Sequence, residues 1–460
     1  MDHATFVDPN LTRPDLLVLK NLLQDIERTK TLGSDREPTK STLGIPALQK
    51  KSLYALPIPS VVFVNSHTEG STAPLDTSFP DDEKTIEALE ALNDPTHEDF
   101  DPTVFVTWDL KDVKLPAVLD RHVLRPYIAW ARTVVRKETD VVVLTHLILY
   151  FTTSVPSALF LYYHFSWLHG VLHCLMQGWY VGTYTLMRHQ HIHMNGILAS
   201  RHAWLDSTFA YILDPLMGHT WNTYYYHHVK HHHVEANGPE DLSSTLRYQR
   251  DDLLNFLHYL GRFCFLVWLD LPLYFLRKGK PLMALKAGSG ELANLMAIYL
   301  LATYLNFRAT AFVFIVPLSL LRIGLMVGNW GQHAFVDDVD PDSDFRSSIT
   351  LIDVASNRFC YNDGYHTSHH LNPRRHWRDH PVAFLRQKDR YAGEQALVFR
   401  NIDYVMITVR LLRKDYVHLA KCLVPIGDQV GMSLEEIAVM LRTKTRKFTE
   451  EDIAEKFQKK

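Results

Sequence analysis

Long apolar segments alternate with polar ones along this chain of 460 residues. The longest runs from Val141 to Met187, where 47 consecutive residues include no Asp, Glu, Lys or Arg. A membrane-spanning helix needs about 20 apolar residues, so this segment accommodates two spans in succession. Only HFSWLHG, which carries neither Lys nor Arg, separates them. The pattern predicts a pair of membrane helices joined by a short turn.

Three further apolar segments follow, and they are Leu254–Leu276, Leu292–Phe307 and Ala309–Trp330. The first carries Arg262 and Asp270, which favours a position at the membrane interface. The other two then form a hairpin that turns near Arg308. Alternatively, the first segment pairs with one long, tilted segment that covers residues 292–328.

Charged segments flank the apolar part of the chain. Arg132, Arg136 and Lys137 lie just before the first span, and the positive-inside rule therefore places the N-terminal region in the cytosol. We predict a cytosolic N-terminal region at residues 1–138, a membrane domain at 139–385 and a cytosolic helical tail at 386–460. The N-terminal region is expected to be partly disordered, with an amphipathic helix at Asp15–Lys30 and weak strands at residues 61–64 and 104–108.

Composition excludes several classes of protein. The four cysteines are widely spaced and form no CxxC pair, which excludes a thiolate zinc ribbon and gives no indication of a disulfide framework. The N-terminus has no apolar segment of the kind found in signal peptides, so we expect insertion to depend on the internal spans. The formal net charge is −3, and we expect no nucleic acid partner.

Histidine is the chemical anomaly of the chain. It occurs 26 times, and 13 copies fall within the 70 residues from His164 to His233. Several copies, and one asparagine, recur at i, i+3 or i+4, a spacing that places side chains on one face of a helix. Each such box can therefore present its side chains to one metal cluster. The candidate ligands are His189 and His193, then His228, His231 and His232, then Asn329 and His333, and finally His366, His369 and His370.

Some of these assignments leave alternatives open. His227 and His233 flank the second box, and either could replace a neighbour in the ligand shell. Asn329 could act directly or through water. If all boxes share one side of the membrane, an even number of spans must lie between His233 and His333.

The number of imidazoles favours a pair of iron ions over structural zinc. Neutral histidine suits iron, copper, zinc and nickel, but a structural zinc site needs only four ligands. The chain has no His-Glu-x-x-His, so a zinc protease is unsupported.

The order and spacing of the boxes resemble the membrane fatty acid desaturase family. HQHIH follows a pair of spans, HVKHH comes about 40 residues later, and the final HTSHHLNP is similar to the family's HxxHHLxP. The resemblance covers roughly residues 140–385. It implies an all-α fold with about four membrane helices and a cytosolic helical cap that holds two iron ions.

The resemblance also implies an activity and its partners. We expect a membrane enzyme of the endoplasmic reticulum, with its termini and boxes in the cytosol. It would desaturate an acyl or other lipid-like chain with O2 and electrons from a donor such as cytochrome b5 with its reductase. Because the chain has no HPGG heme motif, the donor is expected to be a separate protein.

Other outcomes remain open at this point. Hydroxylation or acetylenation of a lipid or specialised metabolite needs the same boxes. A non-catalytic metal-binding membrane protein, such as a transporter, would place polar ligands within the spans, whereas these boxes lie at span ends and beyond.

Overall fold

A computed structural model of the protein describes residue 7 and residues 11–34, 82–106, 108–352 and 355–457. The structure is 70% helical with few strands, which agrees with the predicted helical class. A helix at Arg13–Ser34 contains the predicted amphipathic helix. The strand predicted at residues 61–64 lies outside the described residues.

Five long helices, here numbered α1 to α5, form the apolar part of the fold. Three are long and apolar enough to cross a membrane, namely α1, α3 and α5. The other two contain more polar residues, so the expectation of about four spans stays a prediction. The bounds are α1 Val141–Tyr163, α2 Trp167–Met194, α3 Leu253–Arg277, α4 Pro281–Leu300 and α5 Phe307–Gln332.

The turn predicted near Arg308 is present between α4 and α5. The helix α4 continues as a π-helix through Leu301–Leu305 and ends before Asn306. The side chain of Asn306 then caps α5 by accepting a hydrogen bond of 3.1 Å from the backbone N–H of Ala309.

The helix α4 is longer than the predicted apolar segment. The apolar segment begins at Leu292, but α4 begins at Pro281. The helix can extend beyond the apolar segment because its carboxylate at Glu291 is buried against the Arg322 guanidinium of α5.

Shorter helices surround this apolar part. The α-helices are Asp82–Ala91, Ala117–Leu119, Arg125–Val134, Ala203–Leu216, His233–Glu235, Asp344–Ser347, Ala355–Phe359, His366–Leu371, His380–Arg386, Lys388–Gly393, Tyr404–Leu412, Tyr416–Cys422, Leu434–Thr443 and Glu450–Lys456. Further π-helical turns are Asp120–Leu124, Tyr225–His232 and Ala311–Ile315, and 3-10 turns are Leu110–Asp112, Ser200–His202, Trp377–Asp379 and Gly427–Gly431.

Two small sheets complete the described part of the chain. Thr103–Phe105 pairs with Trp108–Asp109 in antiparallel orientation, close to the weak strand predicted there. Ile349–Leu351 pairs with Leu397–Phe399 in parallel orientation. The second pair ties the segment before the last histidine box to the C-terminal helices.

Buried charges attach the N-terminal region to the segment around the last box. The Asp109 carboxylate accepts hydrogen bonds from Arg358 at 2.6 Å and from Arg378 at 3.2 Å, and all three side chains are buried. Asp140, just before α1, accepts from His376 at 2.7 Å and from Trp377 at 3.0 Å. The N-terminal region therefore packs as part of the fold that holds the histidines.

Candidate metal centre

The first box lies in the last turns of α2. His189 and His193 are four residues apart on this helix, and their rings are 4.7 Å apart. A buried ion pair anchors the same end of α2, because Nε of Arg188 lies 2.9 Å from Oδ1 of Asp214. The pair fixes the helix against the helix Ala203–Leu216.

The second box adopts a π-helix at Tyr225–His232 rather than an α-helix. Its hydrogen bonds join residues five apart, so residues at i and i+5 come together. His228 and His233 are accordingly neighbours, with their Nε2 atoms 3.1 Å apart. The π-helical register replaces the spacing of three and four residues expected for an α-helix.

The remaining ligand candidates come from two separate segments. His333 is the residue that follows α5, and His366, His369 and His370 lie on the short helix His366–Leu371. The loop that carries the third box therefore reaches back to the end of α5.

Five imidazoles form the first group of side chains that could hold a metal ion. Four of them form a closed ring of Nε2 atoms. Nε2 of His189 lies 2.7 Å from that of His228 and 3.1 Å from that of His369. Nε2 of His233 closes the ring at 3.1 Å from His228 and 2.8 Å from His369. His193 completes the group.

This ring has the spacing of a ligand shell. Nitrogen atoms that lie about 2.1 Å from one cation, at right angles to each other, are about 3.0 Å apart. Hydrogen bonds alone account poorly for the ring, since a neutral imidazole has one N–H to share. The donor set therefore fits a metal ion.

Four further imidazoles form the second group, and they are His232, His333, His366 and His370. Nε2 of His366 lies 3.2 Å from Nε2 of His333. The other ring nitrogen of His333, Nδ1, lies 2.8 Å from the carbonyl oxygen of Ser347, which leaves Nε2 free for a metal. Two adjacent groups of five and four imidazoles fit two metal ions better than one.

The structure brings together eight of the ten predicted ligands in these two groups. His231 is instead beside Asp241, with Nδ1 3.8 Å from the carboxylate, and its Nε2 accepts from the backbone N–H of Leu242 at 3.1 Å. His233, which flanks the second box, joins the first group instead of His231. Asn329 lines the neighbouring cavity, and its Nδ2 donates to the carbonyl of Ser243 at 2.9 Å.

Burial favours the neutral form of several of these imidazoles, which is the form that binds metals. Burial, together with the neighbouring histidines, holds the pKa of His228, His233, His366 and His369 well below the usual range. The sequence alone gave no signal for the carboxylate partner of the site, Asp241, which lies nine residues beyond His232.

An apolar cavity of about 390 Å³ adjoins both groups. Its wall includes His189, His228, His232 and His366, and it continues between α2, α3 and α5. Near the histidines it is also lined by Asp363, whose carboxylate accepts from Gln332 at 2.8 Å. Burial raises the pKa of Asp363 to about 7.

The chain is similar to one known protein family. The model of the fatty acid desaturase family matches residues 165–400, which is 236 of the 460 residues and includes all nine clustered histidines. The chain belongs to the fatty acid desaturase family. Comparisons with curated proteins and with solved structures gave no match. Membership in the fatty acid desaturase family indicates an oxidoreductase of lipid chains, and the three apolar helices indicate association with a membrane.

Proposed function

We propose that this protein is a membrane enzyme that introduces a double bond into an acyl or other lipid-like chain. The observation that carries the proposal is the position of the two imidazole groups on the wall of an apolar cavity. A chain in the cavity would present its methylene groups to the metal site, away from water. The reaction takes two hydrogens from the chain and, with O2, two electrons and two protons from a donor, releases two molecules of water.

The nine imidazoles would hold two iron ions, which supply the activation of O2 when bound. The protein residues perform the remaining tasks. Apolar side chains of α2, α3 and α5 bind the chain and exclude water, and Leu186, Val267 and Leu325 belong to this wall. The hydrogen bonds of His232 and His333 to protein oxygens orient their rings before a metal binds.

Electrons would come from a separate donor such as cytochrome b5 with its reductase. A polar depression supports this part of the proposal, and it is lined by Met194, which follows His193, and by Asn372 and Arg374 among others. Arg375, on the same surface, donates to the carbonyl of Ser368 at 2.8 Å. Since His369 follows Ser368, this contact joins the surface to a ligand candidate.

The proposal includes a location in the endoplasmic reticulum membrane, with the imidazole groups facing the cytosol. The basic residues before α1 support this orientation. Protease protection of tagged full-length protein in microsomes would test it, because cytosolic tags are digested while the membrane remains closed.

Expression in yeast with lipid and metabolite profiling tests the activity. We expect a product two mass units below its substrate with the wild type, and none with His228→Ala or His369→Ala. A gain of sixteen mass units would indicate hydroxylation instead, and a triple bond in place of a double bond of the substrate would indicate acetylenation. Purified protein should contain about two irons per chain. Tightly bound zinc without O2 consumption would favour a non-catalytic metal protein and overturn the proposal.

A further inference from the structure

The wall of the apolar cavity carries a charged side chain that lies within an apolar helix. Arg322 lines the cavity and lies on α5, ten residues before Gln332, which lines it close to the imidazoles. The helical rise separates these two residues by about 15 Å along the axis. Arg322 therefore lies in the middle part of a helix that is apolar enough to span a membrane.

Arg322 is held by a buried carboxylate. Its Nη2 donates to Oε1 of Glu291 on α4, and its Nη1 donates to the carbonyl of Cys264 on α3 at 2.9 Å. The other oxygen of Glu291 accepts from the hydroxyl of Thr223 at 2.8 Å and from that of Thr220. The side chain of Glu291 is 1% exposed, while that of Arg322 is 13% exposed.

The position of this carboxylate is fixed by the backbone. A Cβ added at Gly290 would lie 2.1 Å from the carbonyl oxygen of Trp221, so the loop between Thr220 and Thr223 packs directly on α4. The ion pair cannot withdraw from the cavity without moving this loop. Arg322 is thus presented to the cavity in a defined orientation.

Stability alone does not account for such a pair. Ionisable residues within membrane segments are costly, and apolar side chains of similar size often replace a buried ion pair without loss of stability. A guanidinium has five N–H groups, and the two bonds described above leave others for a group inside the cavity. The arrangement therefore resembles a polar binding site in the wall of a mostly apolar cavity.

We propose that Arg322, oriented by Glu291, is a specificity-determining residue that binds an uncharged oxygen-bearing group on the chain in the cavity. A hydroxyl or a carbonyl oxygen accepts hydrogen bonds from the guanidinium. The group is uncharged because Glu291 already balances the charge of Arg322, and a carboxylate would leave an excess negative charge in the membrane. This inference rests on the proposed function, since it assigns a substrate class to the same cavity.

Binding of three probes to the purified full-length protein in detergent tests the proposal without catalysis. The probes are tetradecane, tetradecanol and tetradecanoate, and their dissociation constants are obtained from the shift of thermal unfolding with probe concentration. We expect the wild type to bind tetradecanol about tenfold more tightly than tetradecane. This ratio of dissociation constants corresponds to the free energy of one hydrogen bond to a charged group. Equal binding of these two probes would overturn the proposal.

Substitutions of two arginines on α5 test whether Arg322 causes the preference for tetradecanol. Arg322→Met should lose the preference for tetradecanol and keep the binding of tetradecane. The matched control is Arg308→Met, which removes the arginine at the turn end of the same helix and should retain the preference. A loss of binding for both probes in Arg322→Met would indicate a merely structural role and reject the proposal.

Glu291→Gln gives a second test should Arg322→Met fail to fold. With the balancing carboxylate removed, tetradecanoate should gain affinity relative to tetradecanol, and an unchanged ratio would contradict the assignment. Failure of the proposed function would be seen separately, as absence of product or of iron, while the preference for tetradecanol persisted.

Discussion

Nδ1 of His232 lies 2.7 Å from Oδ2 of Asp241, and both side chains are buried. The carboxylate fixes the proton on Nδ1 and leaves Nε2 of His232 available to the second imidazole group. The pKa of Asp241 is held far below its usual range in spite of burial, because His232 and His231 lie beside it. Asp241 is thus a positioning residue for the metal site.

Substitution of Asp241 by asparagine should weaken metal binding by about 10- to 100-fold, since a neutral amide holds the Nδ1 proton of His232 less strongly than a carboxylate does. Iron content after dialysis against a graded series of chelator concentrations measures this. The control is Asp340→Asn, which changes an exposed carboxylate. Equal iron retention in the two variants would show that Asp241 does not position His232.

The π-helix makes opposite predictions for two adjacent histidines. His233→Ala should remove a ligand of the first group, lower iron content and abolish product formation. His231→Ala should retain more iron and activity, because its ring lies outside both groups. Measurement of iron per chain and of product yield in the two variants distinguishes the π-helical register of the second box from an α-helical one. Greater loss with His231→Ala would support the α-helical spacing instead.

The width of the cavity beside α5 should determine which chains are accepted. A Cβ added at Gly324 meets nothing within 4 Å, and this residue lines the cavity. Gly324→Leu should therefore reduce product formation from long chains while iron content stays unchanged. Gly261→Leu on α3 is the matched control, because its added side chain also enters open space but Gly261 does not line the cavity. Similar product profiles for both variants would argue against this cavity as the substrate site.

Acidification should destabilise the fold through buried neutral histidines. Burial lowers the pKa of His380 to about 3, and its Nδ1 lies 3.0 Å from the hydroxyl of Ser368. The unfolded chain binds a proton at about pH 6.5 but the folded chain does not, so this stability is complete above that pH and lost as the pH falls towards 3.

In this range, each such histidine lowers the free energy of unfolding by about 1.4 kcal/mol for every pH unit of acidification. His380→Asn should therefore flatten the pH dependence of the unfolding midpoint between about pH 6.5 and pH 5. The exposed residue His97 provides the control variant His97→Asn. A slope as steep as that of the wild type in His380→Asn would contradict the prediction.

The buried contacts of Asp109 should be essential for stability. Asp109→Asn leaves Arg358 and Arg378 without their shared carboxylate, which costs about 3–5 kcal/mol for a buried pair. The thermal unfolding midpoint should fall clearly. Asp99→Asn, which removes an exposed partner of Arg13 and Lys111, should change the midpoint much less. Comparable unfolding midpoints for the Asp109→Asn and Asp99→Asn variants would show that the ion pairs of Asp109 do not hold the N-terminal region to the fold.

Much of the site could be predicted from the linear chain, because local spacing and apolar runs need no tertiary information. The run from Val141 to Met187 predicted paired helices, and α1 and α2 form with a short turn at residues 164–166. The boxes around His189 and His369 predicted the imidazole groups, and their order predicted the family, which is confirmed.

Other features depend on contacts between distant segments. HHVKHHH offers several sets of helical neighbours, and only the π-helix, packed beside α2 and the last box, selects His233 over His231. Likewise, the sequence alone indicates that an apolar segment ends at Glu291. Only the structure shows that this carboxylate is buried against Arg322 on α5. Sequence determined which residue types were available, while packing decided their register, because the cost of burying a charge or an imidazole depends on what lies opposite it.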